Sequence, residues 1–90
     1  MLNFDFSGKN IVITGGIRGI GYSVAKLFSS YSSNMVLGYR SDQDLAESVQ
    51  SELSLGNSSV KTLRADLASQ NECDRFMKES LDFLSEIDIF

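Results

Sequence analysis

The chain has 90 residues, of which 42% are hydrophobic, so it is long enough for one small domain with a modest core. Its 8 basic and 12 acidic residues give a net charge of −4, so we expect no nucleic-acid partner. One cysteine and no histidine exclude an intramolecular disulfide and leave few ligands for a metal ion.

The amino terminus has the composition of a protein that stays in the cytoplasm. An acid stands early, at Asp5, and the basic, then apolar, then small-residue order of a secretory signal is missing. The longest uninterrupted apolar runs in the chain have three residues. This is far below the ~20 residues that a membrane-spanning helix needs, so no membrane partner is expected.

The first strand and the first helix are joined by a run of glycines. Asn10–Thr14 contains three consecutive β-branched residues, which is typical of a parallel strand covered on both faces. Glycines then occupy positions 15, 16, 19 and 21. An apolar stripe at helical spacing predicts a first helix that ends near Tyr31. The stripe consists of Ile20, Val24, Leu27 and Phe28.

A second strand and helix follow the polar turn at residues 32–34. Met35–Tyr39 is an apolar run of strand length. Ser41 and Asp42 are both favoured helix caps, and apolar residues then recur at four-residue steps. They are Leu45, Val49 and Leu53, and Gly56-Asn57 supplies the stop signal.

The third strand and helix are followed by the start of a further apolar run. Lys61 and Arg64 interrupt Val60–Ala65, and a strand at the edge of the sheet tolerates such charges. Ser69 and Glu72 predict a capping box ahead of the third helix. The apolar face of that helix is Cys73, Phe76, Met77, Leu81 and Leu84. Strands that alternate with helices in this way predict an α/β fold with a doubly wound parallel sheet.

The glycine turn between the first strand and the first helix predicts a phosphate-binding site. Glycines let the backbone turn sharply and approach a phosphate closely, and the N–H groups at the helix start favour negative charge. The phosphate loop of nucleoside triphosphatases would require Lys after Gly21, but Tyr22 follows. The Gly-x-Gly-x-x-Gly form fails because Ile17, Arg18 and Ile20 stand where its glycines would be.

The remaining pattern, Thr-Gly-x-x-x-Gly-Ile-Gly, resembles that of the short-chain dehydrogenase/reductase family. Its fixed positions are matched by Thr14, Gly15, Gly19, Ile20 and Gly21, and familiar neighbours are Gly8-Lys9, Gly38-Tyr39-Arg40-Ser41 and Ala65-Asp66-Leu67. The chain looks most like the 3-oxoacyl-[acyl-carrier-protein] reductases. The resemblance implies an incomplete Rossmann-type sheet of strand order 3-2-1 with a stub of strand 4. Residues 1–90 would form the N-terminal part of one NAD(P)-binding domain.

The resemblance implies an oxidoreductase that transfers hydride between NADPH and a carbonyl or alcohol, such as a 3-oxoacyl thioester. NADP(H) is favoured over NAD(H), because Tyr39 and Arg40 stand where an acid would grip the ribose hydroxyls of NAD. By resemblance, Arg18 and Arg40 face the adenosine 2′-phosphate. The alternative for Arg18 and Arg40 is that both are solvated surface charges with no ligand. Asp42 lies beyond the point expected for an NAD-selecting acid and suits a helix cap better.

Asp66 resembles the acid that accepts a hydrogen bond from the adenine amino group, with the Leu67 backbone beside it. A turn-forming role ahead of Ser69 is the alternative for this residue. The complete set of cofactor-binding residues implied by the resemblance is Thr14, Gly15, Ile17, Arg18, Gly19, Ile20, Gly21, Tyr39, Arg40, Ser41, Asp66 and Leu67.

No catalytic residue is expected within the 90 residues. Tyr22 and Lys26 have the family's Tyr-x-x-x-Lys spacing, but they follow the glycine turn directly, whereas the family's pair lies much further along the chain. We therefore interpret both as partly exposed helix residues, and Cys73 as a small buried apolar residue. The chain alone should be inactive and, with half a sheet, should expose apolar surface that self-association or a partner covers. The alternative function is a non-catalytic nucleotide-binding or interaction module.

Overall fold

The computed structural model describes residues 8–90. The amino-terminal residues on which the prediction about a secretory signal depends lie outside this range, apart from Gly8 and Lys9. All six predicted helices and strands are present: β1 (Asn10–Thr14), α1 (Gly19–Ser29), β2 (Asn34–Tyr39), α2 (Gln43–Leu53), β3 (Ser59–Arg64) and α3 (Gln70–Leu84). Over the described range, no helix combines the length and the apolarity needed to cross a bilayer.

The three strands form a parallel sheet of order β1-β2-β3. Ile11 lies opposite Met35, and Met35 lies opposite Val60. On the other side of β1, Ile89 forms a parallel bridge with Ile11, and its carbonyl accepts a hydrogen bond of 2.8 Å from the Val12 N–H. The strand order 3-2-1 with a stub of strand 4 is therefore confirmed, and β3 lies at the edge as predicted.

Successive residues of each strand point to opposite faces of the sheet and build two cores. On one face, Ile11, Met35 and Leu37 pack against α1 and α2. On the other face, Val12 and Val36 pack against α3. Helices thus cover both faces of the sheet, which is the usual arrangement for parallel strands and explains their continuous apolar sequences.

The apolar stripe predicted for α1 is divided between the core and the surface. Phe28 packs against the core formed with α2, and the buried residue of the helix is Ala25. Ile20 is 84% exposed and Leu27 is 58% exposed. Ile20 and Val24 line a cleft beside β1, on the side of the strand where Ile89 lies. The expected exposed apolar surface is found here, and Phe90 at 65% exposure adds to it.

Helix α3 packs against the sheet, since Phe76 and Leu84 are buried against Val12 and Val36. The capping box predicted at its start is wrong. Ser69 is the N-cap residue, but its side chain makes no capping hydrogen bond. The Glu72 carboxylate instead accepts from Arg75 at 2.9 Å, so the reciprocal pair of a capping box does not form.

Candidate functional site

The loops that follow the three strands lie together at one edge of the sheet. Gly15 follows β1, Arg40 follows β2, and Asp66 comes two residues after the end of β3. Because the strands are parallel, their carboxyl ends all reach this edge. Open α/β sheets bind ligands at this edge, so the sheet brings the predicted site residues to the expected location.

The glycine turn has the geometry that its sequence predicts. Gly15 and Gly19 have φ angles of +63° and +55°, a region that other residues rarely adopt. Gly21 lies so close to the turn that a Cβ atom there would be 2.1 Å from the Gly15 carbonyl oxygen. The Gly16 N–H donates to the Gly38 carbonyl at 3.1 Å and ties the turn to β2. Glycine at position 21 therefore lets the first turn of α1 pack directly on the loop.

The N-terminus of α1 can receive a negative charge. Arg18 is the N-cap residue, and no side chain of the described residues caps this end of the helix. The first intrahelical hydrogen bond runs from the Tyr22 N–H to the Arg18 carbonyl. The first turn of α1, all of it within the described range, contains no acid that would compete with an anion. The N–H groups ahead of Tyr22 and the positive end of the helix dipole are therefore available to a phosphate.

Two adjoining clefts open at this edge of the sheet and share Gly15, Tyr39 and Arg40 as lining residues. The larger, of about 310 Å³, lies between the ends of β2 and β3, and we call it the β2–β3 cleft. The smaller, of about 170 Å³, we call the arginine cleft. Together they are lined by eight of the predicted cofactor-binding residues: Gly15, Ile17, Arg18, Tyr39, Arg40, Ser41, Asp66 and Leu67.

Both arginines at the clefts face an acid. Arg18 Nη2 lies 2.8 Å from Asp42 Oδ2, and Arg40 Nη2 lies 4.0 Å from Asp66 Oδ2. The arginine side chains remain 63% and 80% exposed. Exposed ion pairs of this kind contribute only about 0–1 kcal/mol, so the guanidinium groups stay accessible to a ligand.

Asp66 shapes the turn that borders the β2–β3 cleft. Its Oδ1 accepts from the Ala68 N–H at 3.1 Å, and its carbonyl accepts from the Ser69 N–H at 3.1 Å. The turn-forming role considered for this residue is therefore present. The other carboxylate oxygen, Oδ2, faces Arg40, and both residues line this cleft.

Four predicted residues lie outside the two clefts. Gly19, the first residue of α1, lines neither cleft. Thr14, Ile20 and Gly21 line a separate cleft between β1 and α1, beside Ile89 and Phe90. Gly21 lies outside the two clefts because it packs against the backbone of the glycine turn, as described above. Thr14 and Ile20 face the side of β1 where the stub of strand 4 lies, so the structure does not bring them to the arginines.

The β2–β3 cleft also has lining residues that the sequence did not predict as part of the site. They are Gly38, Ala65, Ala68 and Phe76. A Cβ atom at Gly38 would meet the Phe76 ring at 2.9 Å, so glycine at this position lets the ring of α3 reach the floor of the cleft. Small residues at the ends of two neighbouring strands were the signal in the sequence that could have indicated a cleft.

Tyr22 is held by a carboxylate and not by a lysine. Its hydroxyl donates to Glu52, with distances of 2.7 and 2.9 Å to the two carboxylate oxygens. This hydrogen bond, together with some desolvation and the charge of Glu52, raises the pKa of Tyr22. A tyrosine that acts as an acid or base near neutral pH needs a lowered pKa, so this environment argues against catalysis by Tyr22.

Cys73 differs from the expectation of a buried apolar residue. It is only half buried, and its thiol donates to the Leu67 carbonyl at 3.0 Å. The bond attaches α3 to the loop after β3. Within residues 8–90, no group of three His, Cys, Asp or Glu side chains is close enough to hold a metal ion.

Comparisons with known proteins agree with this geometry. The family described as short chain dehydrogenase matches residues 9–90. An L-rhamnose 1-dehydrogenase (NADP(+)) from Thermoplasma acidophilum is 31% identical over 85 residues, which are 94% of this chain and 34% of that protein. The chain spans about a quarter to a third of the length of the curated relatives that it matches.

Solved structures show the same fold. A short-chain dehydrogenase from Oenococcus oeni PSU-1 has a TM-score of 0.88 at 30% identity, and the match covers 97% of this chain and 40% of that protein. An NADH-dependent reductase A1-R′ complexed with NAD has a TM-score of 0.84 at 26% identity, covering 93% of this chain and 35% of that one. The similar proteins thus include one named for NADP(+) and one for NADH.

Proposed function

This chain belongs to the short chain dehydrogenase family, and on that premise we propose that it forms the NADP(H)-binding portion of an oxidoreductase. The complete enzyme would transfer hydride between NADP(H) and a carbonyl or alcohol substrate. A 3-oxoacyl thioester is the substrate class that the sequence resemblance favours. Relatives that use either nicotinamide cofactor belong to the same fold, so the preference must come from this chain's own residues.

The observation that carries the proposal is that Arg18 and Arg40 line one cleft beside the glycine turn. Tyr39 occupies the end of β2, where an acid would hold the ribose hydroxyls of NAD. Two guanidinium groups at this point suit a phosphate on the ribose, since each can donate two parallel hydrogen bonds. The uncapped N-terminus of α1 next to them suits the pyrophosphate.

Each part of the dinucleotide would be held by a separate group of residues. The N–H groups of Gly19 and its neighbours would bind the pyrophosphate, Arg18 and Arg40 the 2′-phosphate, and the turn at Asp66 the adenine. When bound, the nicotinamide supplies or accepts the hydride. The role of these 90 residues is to bind and orient the adenosine half, and we propose that they contribute no acid or base to the reaction.

The exposed apolar surface of α1 requires a cover. Ile20 and Phe90 are more than half exposed and line the cleft beside β1, and Leu27 of the same helix is also more than half exposed. Apolar patches of this kind mark contact surfaces in soluble proteins. We propose that self-association or a partner covers them, and sedimentation of the purified chain at several concentrations would detect the former.

Binding of cofactor to an Arg40→Asp variant tests the proposed function. One charge-assisted contact contributes about 1.5–3 kcal/mol, which corresponds to roughly tenfold to a hundredfold in affinity. We expect NADP(H) to bind at least about tenfold more weakly, while NAD(H) binding is unchanged or tighter. Isothermal titration calorimetry measures both. Lys78→Asp is the matched control, because it makes the same charge change at an exposed position on α3, away from both clefts.

Equal losses for NADP(H) and NAD(H) in Arg40→Asp would contradict the assignment of the 2′-phosphate to the arginine cleft. Equal losses in Arg40→Asp and Lys78→Asp would show that only the overall charge matters. In either case the family membership would stand, but the cofactor preference proposed for this chain would not.

A further inference from the structure

The arginine cleft has an acid at its rim, and Asp42 supplies it. Asp42 is the N-cap residue of α2, and its Oδ1 accepts from the Leu45 N–H at 3.1 Å. Its Oδ2 lies 2.8 Å from Arg18 Nη2. One carboxylate thus performs two tasks: one oxygen caps the helix, and the other neutralises an arginine of the cleft.

The backbone of Asp42 places this carboxylate in an unusual position. Its φ and ψ angles of +72° and +68° are left-handed, a conformation that Asp and Asn tolerate better than other residues with a side chain. Helix α2 therefore starts with a sharp bend immediately after Ser41, which itself lines the arginine cleft. The bend directs the Asp42 side chain back toward Arg18.

We propose that Asp42 is a selectivity residue that weakens the binding of a 2′-phosphate and leaves the binding of a 2′-hydroxyl unaffected. The inference rests on the proposed function, because it assumes that the arginine cleft holds the 2′ position of the adenosine ribose. It goes beyond that function by assigning to Asp42 the task of limiting the NADP(H) preference that Arg18 and Arg40 create.

The physical reason is competition for one guanidinium group. A ribose phosphate carries a charge of about −1.5 to −2 near neutral pH. To bind it, Arg18 must share its donors with the phosphate while the Asp42 carboxylate remains beside it, so the two anions repel each other. A ribose hydroxyl carries no charge and experiences no such repulsion. The effect of Asp42 therefore falls on one cofactor only.

The size of the effect follows from the exposure of the pair. The Arg18 and Asp42 side chains are 63% and 42% exposed, so solvent screens their charges. Exposed charge pairs are weak, and the double charge of the phosphate raises the repulsion to an effect of about three- to tenfold in affinity. Added salt should reduce this difference, because it screens exposed charges.

Asp42→Asn isolates the charge from the other roles of the residue. Asparagine is an equally good N-cap, tolerates the left-handed backbone and keeps an oxygen for the Leu45 N–H. Asp44→Asn is the matched control, since Asp44 is an exposed acid in the first turn of the same helix. The probes are 2′,5′-ADP and 5′-ADP, which carry the adenosine half of the cofactor with and without the 2′-phosphate.

The experiment measures the dissociation constants of both probes by calorimetry for the full chain and the two variants, at low and at high salt. Asp42→Asn should bind 2′,5′-ADP about three- to tenfold more tightly and 5′-ADP within about twofold of the parent chain, with a smaller gain at high salt. Asp44→Asn should change either affinity by less than about twofold.

Three results would overturn the inference. Weaker binding of 2′,5′-ADP by Asp42→Asn would show that Asp42 holds Arg18 in place for the phosphate. An unchanged ratio of the two affinities, or the same gain in Asp44→Asn, would show that Asp42 has no selective role, while the proposed function survives. If the parent chain binds neither probe, the proposed function fails and the inference fails with it.

Discussion

Replacing Gly21 with alanine is expected to destabilise the fold, although alanine is the better helix former. The added Cβ would lie 2.1 Å from the Gly15 carbonyl oxygen and 2.9 Å from its carbonyl carbon, whereas Cβ contacts below 3.0 Å essentially never occur. The turn would have to move by about 0.9 Å, and the obstructing atoms belong to the backbone, so no side-chain rotation can relieve the contact.

Overpacking costs about 1–3 kcal/mol, and we take the upper end, about 3 kcal/mol, because the overlap is severe and only backbone can move. Replacing glycine in a helix offsets at most about 1 kcal/mol of this cost. We expect a net loss near 2 kcal/mol, which lowers the Tm of a domain of this size by roughly 8–16 °C. Thermal unfolding followed by circular dichroism measures it.

Gly19→Ala is the matched comparison for Gly21→Ala. A Cβ at Gly19 would meet no atom within 4 Å, so the cost there is only that of the left-handed backbone, about 1–2 kcal/mol. We expect Gly21→Ala to be the less stable variant and to bind 2′,5′-ADP more weakly. If Gly21→Ala melts at the temperature of the parent chain, the close packing of the turn on α1 described above is wrong.

Two further predictions concern titrating groups. The hydrogen bond to Glu52 raises the pKa of Tyr22 above the ordinary value of 10.0, so the neutral tyrosine contributes stability that is present below pH 10 and is lost as the pH rises through the folded value. Tyr22→Phe should remove from the absorbance titration of tyrosinate one group that ionises above pH 10, and loss of a group that ionises at pH 10 would contradict the Glu52 contact. The hydrogen bond from Arg75 lowers the pKa of Glu72 below the ordinary value of 4.5, so the stability that the ionised Glu72 contributes is present above pH 4.5 and is lost as the pH falls through the folded value. Glu72→Gln should therefore lower the Tm at pH 7, and the Tm values of the variant and the parent chain should converge in acid. A constant difference in Tm down to pH 2 would refute the ion pair.

The fold was predictable because its signals are local. The continuous apolar run in Asn10–Thr14 and the glycine spacing that ends at Gly21 each depend on a few neighbouring residues. The position of β3 at the sheet edge followed from Lys61 and Arg64, whose charges would be costly in a central strand.

Other features depend on contacts that residue types and spacing do not reveal, several of them between segments that lie far apart in the sequence. The capping box at Ser69 failed for a local reason that residue types alone do not show, since Arg75, three residues after Glu72, pairs with the Glu72 carboxylate. The exposure of Ile20 depends on which side of α1 the sheet covers. Asp42 was correctly interpreted as a cap, but its ion pair with Arg18 joins two loops that are 24 residues apart.

The most direct test of the account is the location of 2′,5′-ADP binding on the chain. Two-dimensional NMR of the isotope-labelled chain, titrated with 2′,5′-ADP and with 5′-ADP, reports each backbone N–H separately. We predict that both probes shift the amides of residues 15–21, and that 2′,5′-ADP additionally shifts those of Arg40 and Ser41. Shifts confined to the cleft between α1 and α2 around Glu52, or none at residues 15–21, would contradict a dinucleotide site at the carboxyl ends of the strands.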